Sequence, residues 1–172
     1  TACKWDSVID FTLMWEQLNR IIKPNGAIVL FGSEPFSSAL RMSNIKNYKY
    51  DWIWEKDRPA NISASKTQPM KYHEIISIFG GKKTNFYKQM IQRHPNGSKR
   101  YSNRDKENTS NFKEGHNSKD KEYKWNNNKY DVDLKNPSTI LKYKKGRQQD
   151  NKHPTQKPVE LMEYLIKTYT NE

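Results

Sequence analysis

The stretch "KPNGAIVLFGS", Lys23 to Ser33, decides how the chain folds. Ala27-Ile28-Val29-Leu30-Phe31 is a short unbroken apolar run that ends at Gly32-Ser33, a pattern that fits a strand buried on both faces better than a helix. Upstream, Val8, Phe11, Trp15, Leu18 and Ile22 recur at helical spacing, with Asp6 or Ser7 available as N-cap and Lys23-Pro24-Asn25-Gly26 as a stop. Helix, turn and buried strand make half of an α/β unit. Downstream, Ser33 to Lys46 predicts a second helix burying Phe36, Leu40 and Ile45. Tyr48 to Lys56, with Trp52, Ile53 and Trp54, reads as the next strand, and Glu74 to Gly80 as another. The alternation predicts a layered α/β sheet with helices on its faces.

Composition limits what surrounds this core. At 172 residues the chain is long enough for one ordinary domain, yet only 33% of it is hydrophobic, and the mean hydropathy is -1.13. One domain plus a polar insert is therefore expected. The net charge of +12, from 31 Lys+Arg against 19 Asp+Glu, favours a polyanionic partner, nucleic acid before membrane. A single cysteine, Cys3, excludes an internal disulfide framework and offers the four histidines no cysteine pair for a zinc finger. The cysteine usage reads as that of the reducing cytoplasm. The Ala27–Phe31 run is far too short to cross a bilayer, and Thr1 to Asp10 lacks the basic-then-apolar order of a signal peptide.

The character changes near Arg93. From there to about Asn136 the chain is rich in Lys, Arg, Asn and Ser, with isolated aromatics at Tyr101, Phe112, Tyr123, Trp125 and Tyr130. Composition on its own favours a solvated, partly disordered insertion. The competing reading is a nucleic-acid surface, in which cations meet phosphates and amides or aromatics meet bases. Ser138 to Tyr143 predicts a short strand, and a closing helix follows. Pro158 suits its first turn, and Leu161, Met162, Leu165, Ile166 and Tyr169 predict one apolar stripe. The preceding His153-Pro154-Thr155-Gln156-Lys157 lies at the helix start, where exposed N–H groups and the helix dipole favour an anionic or carboxylate-bearing ligand. The residues alone equally allow a proline-stiffened loop that only aims the helix.

His153-Pro154-Thr155-Gln156-Lys157-Pro158, followed by Val159-Glu160-Leu161-Met162-Glu163, resembles the segment before the cofactor loop in the permuted amino-methyltransferases of DNA, the N6-adenine and N4-cytosine family. The remainder agrees in order: Trp5-Asp6, then Trp15 and Leu18, then Lys23-Pro24-Asn25-Gly26 leading to Phe31-Gly32. Trp54-Glu55-Lys56 and His73-Glu74-Ile75-Ile76 resemble the strands that follow. The likeness covers Trp5 to Gly81 and Ser138 to Tyr169, and leaves the polar middle where the family places its variable target-recognition region.

This resemblance implies an α/β fold: an incomplete Rossmann-like methyltransferase sheet with flanking helices, plus a polar irregular insert. The expected division is a partial core over 1–92, the insert over 93–137 and a return to the core over 138–172. It implies S-adenosylmethionine as cofactor, held by His153, Pro154, Thr155, Gln156 and Lys157, and double-stranded DNA as partner. Within the insert, Lys99, Arg100 and Arg104 are then expected on phosphates, and Asn103, Tyr123 and Trp125 on bases. In this family the catalytic Asp/Asn/Ser-Pro-Pro-Tyr/Phe tetrapeptide precedes a segment like Thr1–Asp6, and a glycine-containing cofactor loop follows a helix like Pro158–Tyr169. Neither occurs in these residues, so the chain is expected to be the interior of a longer enzyme, with no catalytic residue of its own. Adenine is expected as target before cytosine, within a prokaryotic or viral restriction–modification setting. A basic binding module without chemistry and an RNA methyltransferase are the rival readings.

Other chemistry-bearing residues carry blander expectations. Asp6 and Asp10 suit helix capping. Glu74 beside His73 suits a satisfied structural pair, and Gly80-Gly81-Lys82-Lys83 lacks phosphate-loop spacing and reads as a turn. His94 and His116 have no ligand-spaced partners for a metal.

Overall fold

The structure, a computed structural model, describes residues 7–94, 133–145, 153 and 155–171. Two compact units appear, one of Thr1–Gln89 with Ser138–Glu172 and one of Met90–Pro137. The described part of the first unit runs α1 (Phe11–Ile21), β1 (Ala27–Gly32), α2 (Phe36–Ser43), β2 (Tyr48–Glu55), a short 3-10 turn (Ile62–Ala64) and β3 (His73–Gly80). After β4 (Ile91–Gln92) and β5 (Leu134–Lys135) of the second unit, the chain returns to the first as β6 (Ile140–Lys142) and α3 (Val159–Tyr169). Four strands form one mixed sheet in the order β1-β3-β2-β6. The expected α/β class with helices on the sheet is thus what the chain adopts.

β3 runs antiparallel to both β1 and β2 and lies between them, while β6 is parallel to β2. So β1, β2 and β6 all point the same way. The Ala27–Phe31 run splits by alternation. Ala27, Val29 and Phe31 pack with Trp52, Trp54, Ile76, Ile78, Leu161 and Leu165 on the α3 face, and Ile28 and Leu30 pack with Trp15, Leu40 and Phe79 on the α1–α2 face. A strand covered on both sides needs apolar residues at every position, which is why the run is continuous. Of its residues Ile28, at 8%, is the least exposed, because β1 stands last in the described strand order and no described strand covers its outer edge.

Three sequence expectations shift. The first helix starts at Phe11, not at Asp6 or Ser7, because the Asp10 carboxylate accepts from the Leu13 N–H (3.1 Å) and so caps it; Val8 is left exposed. The second helix is only Phe36–Ser43: Glu34 accepts from both Ser38 N (3.1 Å) and Ser38 Oγ (2.6 Å), fixing its start. At its end Asn47 N and Tyr48 N both donate to Asn44 O (3.1 Å each), a turn that lifts Ile45 to 55% exposure instead of burying it. On α3 the buried stripe is Leu161, Leu165, Thr168 and Tyr169, whereas Met162 and Ile166 are exposed. Thr168 enters the core because its hydroxyl donates to Tyr164 O (2.7 Å), which leaves no unmet donor.

Strand β2 contains an irregularity that decides its facing. Tyr48 is opposite Phe79 but Tyr50 is opposite Ile78, so two steps along β2 match one along β3, a bulge at Lys49. Tyr48 therefore meets Phe79 edge-on at 5.8 Å on the α1–α2 face, while Tyr50, Trp52 and Trp54 face α3. There the Trp52 indole donates to the Tyr169 hydroxyl (2.7 Å), which also bonds Tyr50 Oη (2.8 Å). Burial first, and the neighbouring Tyr50, push the Tyr169 hydroxyl well above the ordinary phenol range, so it stays protonated.

In the second unit the described residues form one short antiparallel pair, β4 with β5. Arg93 extends it by donating from its backbone N to Asp133 O (2.7 Å) and from Nε to Leu134 O (3.0 Å). The bases of the insert are thus tied by a strand pair, an order that composition did not predict.

Candidate functional site

β1, β2 and β6 end at the same edge of the sheet, where β3 begins and α3 starts, and ligands of open α/β sheets bind outside such carboxyl ends. The side chains that meet there are Phe31, Trp54, Lys56, Glu74 and Lys157. The register explains why. Trp54 is opposite Glu74, and Lys56 lies two residues beyond Trp54 on the same face of an extended strand.

Glu74 is held between two lysines. Lys56 Nζ is 3.2 Å from Oε1 and Lys157 Nζ is 3.3 Å from Oε2. Lys56 is only 4% exposed, and its ammonium also lies over the Trp54 ring at 5.8 Å. Lys157 reaches the same ring at 5.9 Å and the Phe31 ring at 5.2 Å. Burial alone would push the Glu74 carboxyl up, but Lys157 and then Lys56 together outweigh it and hold the group below the usual carboxylate range. The expected His73 partnership does not occur: Glu74 is satisfied by lysines, and His73 is exposed. The Trp54 indole donates to Tyr143 O (2.8 Å), tying the strand that carries this cluster to the residue that follows β6.

The segment before α3 is a turn built on His153. Gln156 N donates to His153 O (3.0 Å), Thr155 N donates to His153 Nδ1 (3.2 Å), and Thr155 Oγ1 lies 2.9 Å from the same ring nitrogen. Lys157 Nζ donates to Thr155 O (3.3 Å), so this one ammonium ties the turn to Glu74 on the sheet. Pro158 is the N-cap of α3, and among the described residues no side chain caps the helix. The result is a helix N-terminus above an aromatic floor, with two ammonium groups against one carboxylate. Such a place suits an anion or carboxylate.

The structure thus brings Thr155, Gln156, Lys157 and His153 together at one edge, with the Lys157 ammonium turned inward onto Glu74. Pro154 lies outside the described residues, as do Lys99, Arg100, Asn103, Arg104, Tyr123, Trp125, His116 and Cys3. Asp10 is the cap of α1, and Lys82-Lys83 form a turn. Among the described residues no group of three His, Cys, Asp or Glu side chains is arranged to hold a metal ion, and no helix is long and apolar enough to cross a membrane.

Sequence reasoning missed the Lys56 clamp, although a signal was present: Trp52, Trp54 and Lys56 share a face if the strand period is carried one step further. It also missed a second polar network on the opposite face. Arg41 joins Glu34 (2.6 Å) to Asp51 (2.9 Å), and Ser77 Oγ donates to Asp51 Oδ1 (2.7 Å). This network anchors the loop after β1 to the middle of the sheet. Gly32 begins that loop, and a Cβ there would run into Ser37 Oγ and Phe36.

Residues 5–172 match the model of the DNA methylase family, and the chain belongs to that family. Among solved structures it is similar to the M1.HpyAVI–SAM complex, at 23% identity and a TM-score of 0.49, over 92% of this chain and 60% of that one. The crystal structure of M1.HpyAVI matches at 19% identity and a TM-score of 0.46, over 92% of this chain and 57% of that one. The chain therefore spans about three fifths of the length of these structures. No curated protein matches it.

Proposed function

We propose that this member of the DNA methylase family is the central part of an S-adenosylmethionine-dependent methyltransferase acting on an exocyclic amine of double-stranded DNA, adenine before cytosine. The observation that carries the reading is the meeting of the His153–Lys157 turn, the uncapped start of α3 and the Lys56–Glu74–Lys157 cluster at the carboxyl ends of β1, β2 and β6. S-adenosylmethionine supplies an electrophilic methyl on a sulfonium, and its carboxylate fits this edge: helix N–H groups, the Thr155 hydroxyl and the Gln156 amide are the donors. Lys157 contributes by holding the turn on Glu74. The exocyclic amine is a weak nucleophile because its lone pair is delocalised into the ring, so it must be unstacked and oriented by acceptors. No two prolines are adjacent in this sequence, so the family's acceptor tetrapeptide is not among these residues.

Two results are expected. The isolated 172-residue chain transfers no radiolabelled methyl from S-adenosylmethionine to mixed-sequence DNA; incorporation above background would overturn this account of where the acceptors lie. In the full-length enzyme, Thr155→Ala and Lys157→Ala each weaken S-adenosylmethionine binding about tenfold, the size of one lost hydrogen bond of ~1.4 kcal/mol. DNA affinity should change much less. Calorimetry with both ligands decides it, and unchanged cofactor affinity in both variants would leave this turn a structural loop.

A further inference from the structure

The connection from β2 to β3 is long, and the structure holds it in shape without burying it. Lys56 N donates to Tyr72 O (2.7 Å) and Ala60 N to Lys71 O (3.0 Å), continuing the strand ladder outward as an arm. Asn61 closes the tip: its Oδ1 accepts from Lys71 N (2.6 Å) and its Nδ2 donates to Pro69 O (3.2 Å). Inside that brace Ile62–Ala64 makes one 3-10 turn. A brace of this kind ordinarily serves a core, but among the described residues it serves none. Ile62 is 66% exposed, and Met70 and Tyr72 also stand in solvent.

The charge of the arm is one-sided. From Arg58 to His73 there is no acidic residue, while Arg58, Lys66 and Lys71 are cationic. Among the described residues no ion pair engages the ammonium of Lys66 or Lys71, and Arg58 reaches only the adjoining Asp57, at 3.9 Å. Asp57 itself accepts from Lys145 N (2.8 Å), which brings Lys144 and Lys145 beside the arm's root. The arm leaves the sheet at Lys56 and returns at His73 and Glu74, so its two roots are the clamp of the candidate site.

We infer that the Arg58–Tyr72 arm is a contact surface for the phosphate backbone of duplex DNA, beside the site and in a different stretch of the sequence from the insert. This rests on the DNA reading proposed above. Braced backbone fixes where three cations stand, and cations without acidic neighbours give up counterions on meeting phosphates.

The test is a salt series of affinities of the 172-residue chain for a mixed-sequence DNA duplex. Arg58→Ala/Lys66→Ala/Lys71→Ala is compared with Lys23→Ala/Lys82→Ala/Lys83→Ala, which removes equal charge from the other end of the sheet. Every phosphate that a variant no longer neutralises lowers the slope of log K against log salt by about 0.9. The arm variant should therefore flatten the slope by up to about 2.7, and the control should leave it close to that of the parent. An unchanged slope in the arm variant, or equal flattening in both, overturns the inference while leaving the DNA reading intact. Arm-dependent binding of duplex RNA in place of DNA also overturns it. No salt-dependent DNA affinity in the parent chain sinks both readings. If the triple variant does not fold, Lys66→Glu at the exposed tip carries the same comparison with one cation, and an unaltered slope there counts against the arm.

Discussion

Trp54→Ala is expected to remove a large share of the stability of the first unit. The side chain is fully buried, belongs to the α3-side core with Ile76, Leu141 and Leu161, and donates its indole N–H to Tyr143 O. Truncating a buried aromatic costs about 3–5 kcal/mol, and losing the hydrogen bond to the half-buried Tyr143 carbonyl adds about 1 kcal/mol. Against a total of about 5–15 kcal/mol for a domain, that leaves little or nothing at the lower end of the range. With a urea slope of about 2 kcal/mol/M, the midpoint should fall by roughly 2–3 M. Urea unfolding followed by circular dichroism measures it. A midpoint near that of the parent would mean that the core closes around the gap and that Trp54 is not its centre.

Glu74→Ala is the second large effect, and here the damage is electrostatic. The Lys56 side chain is 2% exposed, so removing its carboxylate leaves a buried ammonium over the Trp54 ring with no carboxylate among the described residues to offset it. Breaking one side of such a pair costs about 3–5 kcal/mol. Replacing both members, as in Lys56→Met/Glu74→Leu, should recover most of that, because Lys157 is partly exposed and can turn to solvent. Acid should reproduce part of the loss. The Glu74 carboxyl titrates lower in the folded chain than in the unfolded one, so its contribution is whole above the unfolded value near 4.3 and disappears as pH falls through the folded value. Between pH 6 and about 3 the parent should therefore lose more stability than Glu74→Gln does. Parallel acid profiles for the two proteins would show that the carboxylate is not ionised in the clamp.

Much of this arrangement can be read from local patterns. The Ala27–Phe31 run, the tryptophan-bearing β2 and the apolar β3 announce themselves through side chains that the sheet must bury, and the α3 helix through its proline start. What does not show is whatever depends on a partner far away in sequence. The bulge at Lys49 has no glycine or proline to mark it, yet it reverses the facing of Tyr48 relative to Tyr50. Thr168 outranks Ile166 for burial because the position of α3 on the sheet, not side-chain polarity, chooses the stripe. Ile45 has the spacing of a core residue, but the Asn44–Asn47 turn removes it from the helix. Of the candidate site, the His153–Lys157 turn is legible through its resemblance. Glu74 stands out in the sequence for the wrong neighbour, since the lysines that hold it come from 18 residues before it and from the far end of the chain.

The placing of β3 between β1 and β2 has a consequence for how the protein is born. On the ribosome β1 and β2 emerge before β3, but neither pairs with the other; both wait for a strand that is completed at Gly80. At about 5–20 residues per second, the stretch from the end of β2 to the end of β3 takes roughly 1–5 s. For that time an apolar strand and a tryptophan-rich one hang from the ribosome before the described strand that joins them exists, and the helix that covers Trp52 and Trp54 is translated only near residue 169. A nascent chain stalled before His73 thus carries the β1 and β2 edges without the strand that closes them against each other, which makes this interval a natural point for a chaperone to engage.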